Sequence, residues 1–193
     1  LGINIPTGKD SLSMKQKYPN DEVIAPGTVI ISAGGNCTDI RKVVEPVLRF
    51  PSEGIEAGSI YYINLSQDKF QLGGSSFAQI LNSIGSETST IKDATFFKKA
   101  FNTIQELIGD NQIIAGHDIG SGGLITTLLE LCFADVNLGA QLDFSAFGEK
   151  DLVKILFAEN IGLVLQAKSD VEVEAKLNAN QIEFFKIGNV TNT

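Results

Sequence analysis

The chain has no tryptophan, one methionine, one histidine and two cysteines in 193 residues. Cys37 and Cys132 lie far apart and form no CxxC pair, which argues against a disulfide framework or a zinc site. Both read as reduced core thiols, since free cysteine behaves as a small buried hydrophobe. Basic residues are in deficit, 15 against 23 acidic, and the net charge is −8. A nucleic-acid surface needs clustered Lys and Arg, so that partner is not expected. No apolar run approaches the roughly 18 residues of a membrane span, and neither a signal peptide nor a membrane partner is expected, with a cytoplasmic location as the default expectation. A small phosphorylated ligand is still compatible with this charge. A few backbone N–H groups and one metal ion hold a phosphate locally.

Short apolar runs alternate with helical patterns. Strands are expected at 28–33 (TVIISA), 59–65 (SIYYINL), 112–116 (QIIAG), 140–144 (AQLDF), 162–167 (GLVLQA) and 184–190 (FFKIGNV). A helix is expected over 75–85, ending on Gly85. A second, over 95–109, places Phe97, Phe101, Ile104 and Ile108 on one face. A third, over 122–134, is apolar nearly all round and so is covered on most sides. The stretch from Ser169 alternates like a strand, yet Ser169 and Glu172 form a capping box, and a helix is the reading adopted. Residues 1–27, with Pro6, Pro19 and Pro26, read as the end of one unit plus a linker, and 28–193 as one domain. The opening LGINIPTGKDSLSMK reads as an internal stretch of a longer chain. The expected class is an α/β (α+β) layered domain, a mixed sheet with flanking helices.

Three glycine-rich segments carry the chemistry. In AGHDIGSGGL (115–124) a strand runs into a turn with one carboxylate, Asp118, followed by glycines and a helix start. Free N–H groups there favour an anion, and the carboxylate suits Mg²⁺ that bridges phosphates. A plain strand-to-helix turn with Asp118 as a cap explains the same residues equally well. His117 reads as a satisfied structural histidine, with a base or metal ligand as the other option. In PTGKDSLSMK (6–15) the P-loop pattern fails, because Gly2 and Gly8 have five residues between them rather than four and Lys9 is followed by Asp10. A Lys9–Asp10–Ser11 cluster can grip phosphate, or can be a solvated loop. In QLGGSSFAQ (71–79), Gly73, Gly74 and Ser75 open a helix, either as an anion cradle or as an ordinary N-cap. None of the three carries the GxGxxG dinucleotide fingerprint.

In this order the segments resemble the second synthase lobe of the phosphoribosylformylglycinamidine synthase family, of the large single-chain type. That lobe carries GKDSMSM where residues 8–14 read GKDSLSM, and an LGGS-type turn where Leu72–Ser75 stand. It carries HDxSDGGL where 117–124 read HDIGSGGL, and FxEExG where 157–162 read FAENIG. The resemblance implies an AIR synthetase C-terminal-domain-like fold. It implies an enzyme that uses ATP, Mg²⁺ and glutamine-derived ammonia to make formylglycinamidine ribonucleotide, an ATP-dependent glutamine amidotransferase/ligase. Its partners are then a second synthase half and a glutaminase domain on the same polypeptide, with a small nucleotide as substrate. This chain by itself is expected to be inactive, with no catalytic residue of its own. Asp118 is carried over as the Mg²⁺ ligand of a bound nucleotide (ATP or ADP). The family's serine after HDx is Gly120 here, so the nucleotide contact passes to the Gly120 N–H or to Ser121. Lys9, Asp10, Ser11, Gly73, Gly74 and Ser75 are carried over as a substrate or phosphate loop. Asn160 replaces the second glutamate of FxEExG and leaves Glu159 as the remaining acidic candidate there. The alternative reading is a kinase or phosphate-transfer domain of the wider superfamily, of thiamine-monophosphate kinase or selenophosphate synthetase type.

Overall fold

The structure, a computed structural model, describes residues 3–9, 13–25, 29–52 and 54–192. The chain divides into two compact units, 1–40 and 41–193.

In the first unit, β1 (Lys15–Tyr18) and β2 (Asp21–Ile24) pair antiparallel, with Lys15 opposite Ile24 and Tyr18 opposite Asp21. Pro19 and Asn20 form the two-residue turn between them. This hairpin stands where the sequence reading had a linker. The strand expected at 28–33 does not form over its described residues, 29–33. Val29, Ile30 and Ile31 are β-branched, yet each is more than four-fifths exposed. Strand propensity expresses a fit to a half-buried surface, and among the described residues no strand pairs with this stretch.

The second unit is built on a five-stranded sheet in the order β4-β6-β3-β7-β5. The strands are β3 (Ile60–Asn64), β4 (Ile113–Asp118), β5 (Leu138–Leu142), β6 (Gly162–Ala167) and β7 (Phe185–Asn192). Each pairing is antiparallel, so the sheet is not mixed as expected. The layered α+β class holds. Apolar strand runs bounded by glycine predict burial on both faces, and antiparallel and parallel strands share that property once helices cover both sides.

Those helices are α1 (Ser76–Ile80), α2 (Ala94–Gly109), α3 (Gly123–Glu130), α4 (Leu152–Phe157) and α5 (Asp170–Ala179). Side chains alternate across a strand, and β3 uses both sides. Tyr61 and Ile63 pack with Phe96, Ala100, Ile104 and Leu107 of α2 and with Val173 and Leu177 of α5. Ile60 and Tyr62 pack with Leu124 and Leu128 of α3 and Ile155 of α4. Burying one such side chain stabilises the fold by about 1.5–3 kcal/mol, so β3 is the centre of both cores.

Asp93 caps α2, accepting from Thr95 N–H at 2.8 Å and Phe96 N–H at 3.1 Å. The buried stripe of α2 is Phe96, Ala100, Thr103, Ile104 and Leu107, one position round from the face expected. Phe101 is about half exposed, and Phe97 and Ile108 lie only partly buried beside the core. α5 confirms the helix reading, with Ser169 as its N-cap. α1 stops at Ile80 rather than running to Gly85. Asn82 takes a left-handed φ of 50°, and Ile80, Leu81 and Ile84 are exposed, so neither capping nor burial extends the helix. α3 likewise ends at Glu130, not at residue 134. α4, capped by Asp151, was not foreseen from the sequence.

Candidate functional site

β4 ends on Asp118, and α3 begins at Gly123. Asp118 projects a largely exposed carboxylate, 77% accessible. Its carbonyl is held from two sides. Thr127 Oγ1 donates to it at 3.0 Å, and His117 Nδ1 lies 2.8 Å away. The other ring nitrogen of His117, Nε2, stands 3.1 Å from Glu130 Oε2. The histidine, whose Nδ1 also lies 3.3 Å from Asp118 Oδ1, therefore bridges the end of β4 and the last turn of α3.

Between strand and helix the backbone N–H groups divide into two sets. Ile119 N–H donates to Gly162 O at 2.9 Å, and Gly123 N–H to Gly120 O at 3.1 Å. Gly122 N–H donates to Glu159 Oε1 at 2.8 Å. The N–H groups of Gly120 and Ser121 make no hydrogen bond among the described residues, and both residues are exposed. Asp118 and these two donors form the open part of the turn. Gly122 and Gly123 have φ of 91° and 76°. A Cβ on Gly123 would stand 2.7 Å from Leu156 O, so α3 can start here only with glycine against the end of α4.

The Gly73–Ser75 turn is different. Gly73 N–H donates to Glu87 O at 2.8 Å, Gly74 N–H to Ile84 O at 2.8 Å, and Ser75 N–H to Leu72 O at 3.1 Å. Ser76 N–H donates to Glu159 Oε1 at 2.8 Å. The N–H groups of residues 73–76 are thus all used inside the chain. Ser75 is buried, and its Oγ accepts from Ala78 N–H at 3.2 Å as the N-cap of α1. A small polar cleft of about 210 Å³ lies against Gly73, Ser75, Thr88, Ser89 and Glu159.

Glu159 therefore joins two of the three segments that the sequence singled out. Its neighbour Asn160 is 1% exposed, and its Nδ2 donates to Ser66 Oγ, Asp68 O and Lys69 O, each at 3.1 Å. An amide can donate to those two carbonyls, whereas an ionised carboxylate in its place would only repel them. In that loop, Asp68 is itself tuned. Burial pushes its carboxyl up, but N–H donors from Thr90 and Lys69 and the Lys92 ammonium outweigh that and hold it below the usual carboxylate range.

The third segment lies in the first unit. Lys9 is exposed there, and Asp10 and Ser11 lie outside the described residues. The sequence reading missed the role of Glu130 and an apolar pocket of about 350 Å³. Asp118, His117, Phe97, Phe101, Ile108 and Leu163 are among its lining residues. The half-filled apolar face of α2 was the available signal for that pocket.

Mg²⁺ is held by oxygen ligands and commonly takes one or two carboxylates, with phosphate and water completing its shell. A single exposed carboxylate with free N–H donors beside it suits that partial role. No cluster of three or more acidic, histidine or cysteine residues able to hold a metal occurs among the described residues. No helix among them is long and apolar enough to cross a membrane.

Comparison with known proteins identifies the frame. Over its full length the chain is 41% identical to the probable phosphoribosylformylglycinamidine synthase, chloroplastic/mitochondrial, of Arabidopsis thaliana. Over 87% of its length it is 39% identical to the phosphoribosylformylglycinamidine synthase of Homo sapiens. It spans only 14% and 12% of those two proteins. Among solved structures it is similar in fold to Thermotoga maritima PurL complexed with FGAR, with a TM-score of 0.56 at 15% identity, covering 79% of this chain and 26% of that one. It is also similar to PurLQS from Thermotoga maritima, with a TM-score of 0.55 at 15% identity over 80% and 24% of the two chains. Residues 60–193, which hold the sheet, the helices and both glycine turns of the second unit, match the family described as AIR synthase related protein, C-terminal domain, and the chain belongs to that family.

Proposed function

We propose that this chain is part of a phosphoribosylformylglycinamidine synthase and serves as a nucleotide-holding lobe of it. Residues 28–193 are then the C-terminal domain of the second synthase half, and 1–27 the end of the subdomain before it. The intact enzyme converts formylglycinamide ribonucleotide, ATP and glutamine to formylglycinamidine ribonucleotide, ADP, phosphate and glutamate in purine biosynthesis. The other synthase half and a glutaminase domain come from the rest of the polypeptide. The 41% and 39% identity to proteins bearing that synthase name supports the assignment. The plant relative's name gives chloroplast or mitochondrion, so a cytoplasmic site is proposed only for the enzyme without such routing.

One observation carries the nucleotide reading. The exposed Asp118 carboxylate stands in one short turn with the free N–H groups of Gly120 and Ser121. PurL of Thermotoga maritima has been solved with ATP, with ADP and with AMPPCP, and that protein shares this fold. In this chain Gly120 and Ser121 would donate to phosphate oxygens, and Asp118 would hold Mg²⁺. The ion, when bound, supplies positive charge that offsets the phosphates. Gly122 N–H takes no part, since Glu159 occupies it. The pocket beside Asp118 offers an apolar seat for a flat base. Gly73, Gly74 and Ser75 contribute shape rather than free donors, and Lys9, Asp10 and Ser11 provide a second phosphate or substrate loop.

The test is Asp118→Asn in the full-length enzyme. The change is nearly isosteric, so circular dichroism should be unchanged. Nucleotide extracted from the purified protein should fall well below the wild-type amount, and the melting temperature should drop. Wild-type nucleotide content in that variant would make Asp118 a turn residue only.

A further inference from the structure

Glu159 is where the two glycine turns of the second unit meet. One oxygen, Oε1, accepts Ser76 N–H and Gly122 N–H, each at 2.8 Å. The donors come from different parts of the chain, one at the start of α1 and one at the start of α3. Hydrogen bonds from N–H groups to a carboxylate oxygen are charge-assisted and stronger than those to a neutral acceptor. Glu159 is also fixed from behind. Ser89 Oγ donates to its carbonyl at 3.2 Å, and Asn160 next to it is buried and triply bonded to the 66–69 loop. The side chain therefore reaches the two turns from a rigid base, with little freedom to follow one of them alone.

The close approaches around it point the same way. A Cβ on Gly73 would stand 2.3 Å from Glu87 O, and one on Gly123 would stand 2.7 Å from Leu156 O. Both turns are pressed against backbone, so a displacement of either passes to its neighbour rather than being absorbed by a loose side chain.

We propose that Glu159 is a positioning residue, an internal anion that locks the Gly73–Ser76 and Gly120–Gly123 turns into one unit. The shared oxygen makes the two N–H groups respond together. The clause that adds a ligand rests on the proposed function: a phosphate held by Gly120 and Ser121 then alters the Gly73–Ser76 turn although it touches none of it. The lock itself stands on the two hydrogen bonds alone.

The experiment uses the 193-residue chain labelled with ¹⁵N, without nucleotide. In Glu159→Ala, the Ser76 and Gly122 amides should both exchange at least tenfold faster and move upfield together. Formate, a free carboxylate small enough for the vacated space, should reverse both changes with one shared midpoint, and chloride at equal ionic strength should not. No reversal by formate, reversal at one amide only, or two different midpoints would overturn the lock. If the alanine variant fails to fold, Glu159→Gln decides, since its amide oxygen still accepts but carries no charge. Smaller upfield shifts at both amides support the lock, and a shift at one or neither refutes it. Because no nucleotide is added, the lock and the Asp118 reading fail independently of each other.

Discussion

Asp170 shows how far a single side chain reaches in this fold. It accepts from Ser59 N–H and Ser59 Oγ, both at 2.8 Å, and from Lys186 Nζ at 2.6 Å. Burial alone would raise its carboxyl, but Lys186 and Ser59 outweigh that and bring it from 3.8 down to about 2. A carboxyl whose folded value is depressed stabilises the protein above its unfolded value and stops doing so as pH falls through the folded one. Stability from this residue is therefore present above 3.8 and lost as pH falls to about 2. After allowance for solvent screening it amounts to about 1 kcal/mol. Asp170→Asn should lower the urea midpoint at pH 6, and the gap to wild type should shrink towards pH 2. A gap independent of pH would show that the charge is not what matters. At Gly123, alanine meets both a φ of 76° and the Leu156 carbonyl. Gly123→Ala should cost about 2–3 kcal/mol, read from chemical denaturation. Single residues were the least legible level of the sequence. FAENIG named Glu159, but its partners Ser76 and Gly122 are brought to it only by tertiary packing. The glycines of 120–123 were legible as a turn. Which of their N–H groups remain open was not, because that depends on Glu159.

Elements were read more securely where local signals agree. α2 has an aspartate cap and a sustained period, and it forms within a residue of expectation. Asp93→Ala removes a side chain that accepts from two N–H groups, and should cost about 1 kcal/mol as a fall in melting temperature. An unchanged melt would mean that water replaces the cap. The sequence pattern puts the buried face of α2 one residue off, because Phe97 and Phe101 outweigh Ala100 in it. In the fold it is Ala100 that lies fully buried in the core with Tyr61 and Ile63 of the sheet. α1 is shorter than its sequence suggests, because the apolar Ile80, Leu81 and Ile84 imply a buried face that this unit does not supply. α4 is too short to show a period, and only its cap Asp151 marks it. Strand direction left no local trace at all, since antiparallel order depends on which strands meet.

For the whole molecule, the two units predict unequal resistance to protease. The described side chains of residues 29–36 are all exposed, and so is every residue of the 15–24 hairpin. Limited proteolysis should cut between residues 25 and 40 and leave a resistant fragment that begins near residue 41. Early cuts within α2 or α3 would contradict the layered core described for 41–193. The chain spans 14% and 12% of the two synthases it resembles, so its own output should be small. Supplied with ATP, formylglycinamide ribonucleotide and ammonia, it should release no phosphate above the buffer rate. Chain-dependent release would show that one lobe suffices for chemistry.

The strand at the centre of both cores waits longest for its neighbours. Ile60 of β3 lies opposite Gln166 of β6 and Gly188 of β7, so each side of it is completed by residues more than a hundred positions later. Pairings so distant in sequence close large loops before they return any stability, which slows folding. On a ribosome, Ile60, Tyr61, Tyr62 and Ile63 leave the exit tunnel well before β6 and β7 exist. Until then they form a bare, aromatic, β-rich segment of the kind that chaperones hold and aggregates recruit. The order of synthesis thus makes β3 the point of greatest exposure in a nascent chain and of least exposure in the finished one.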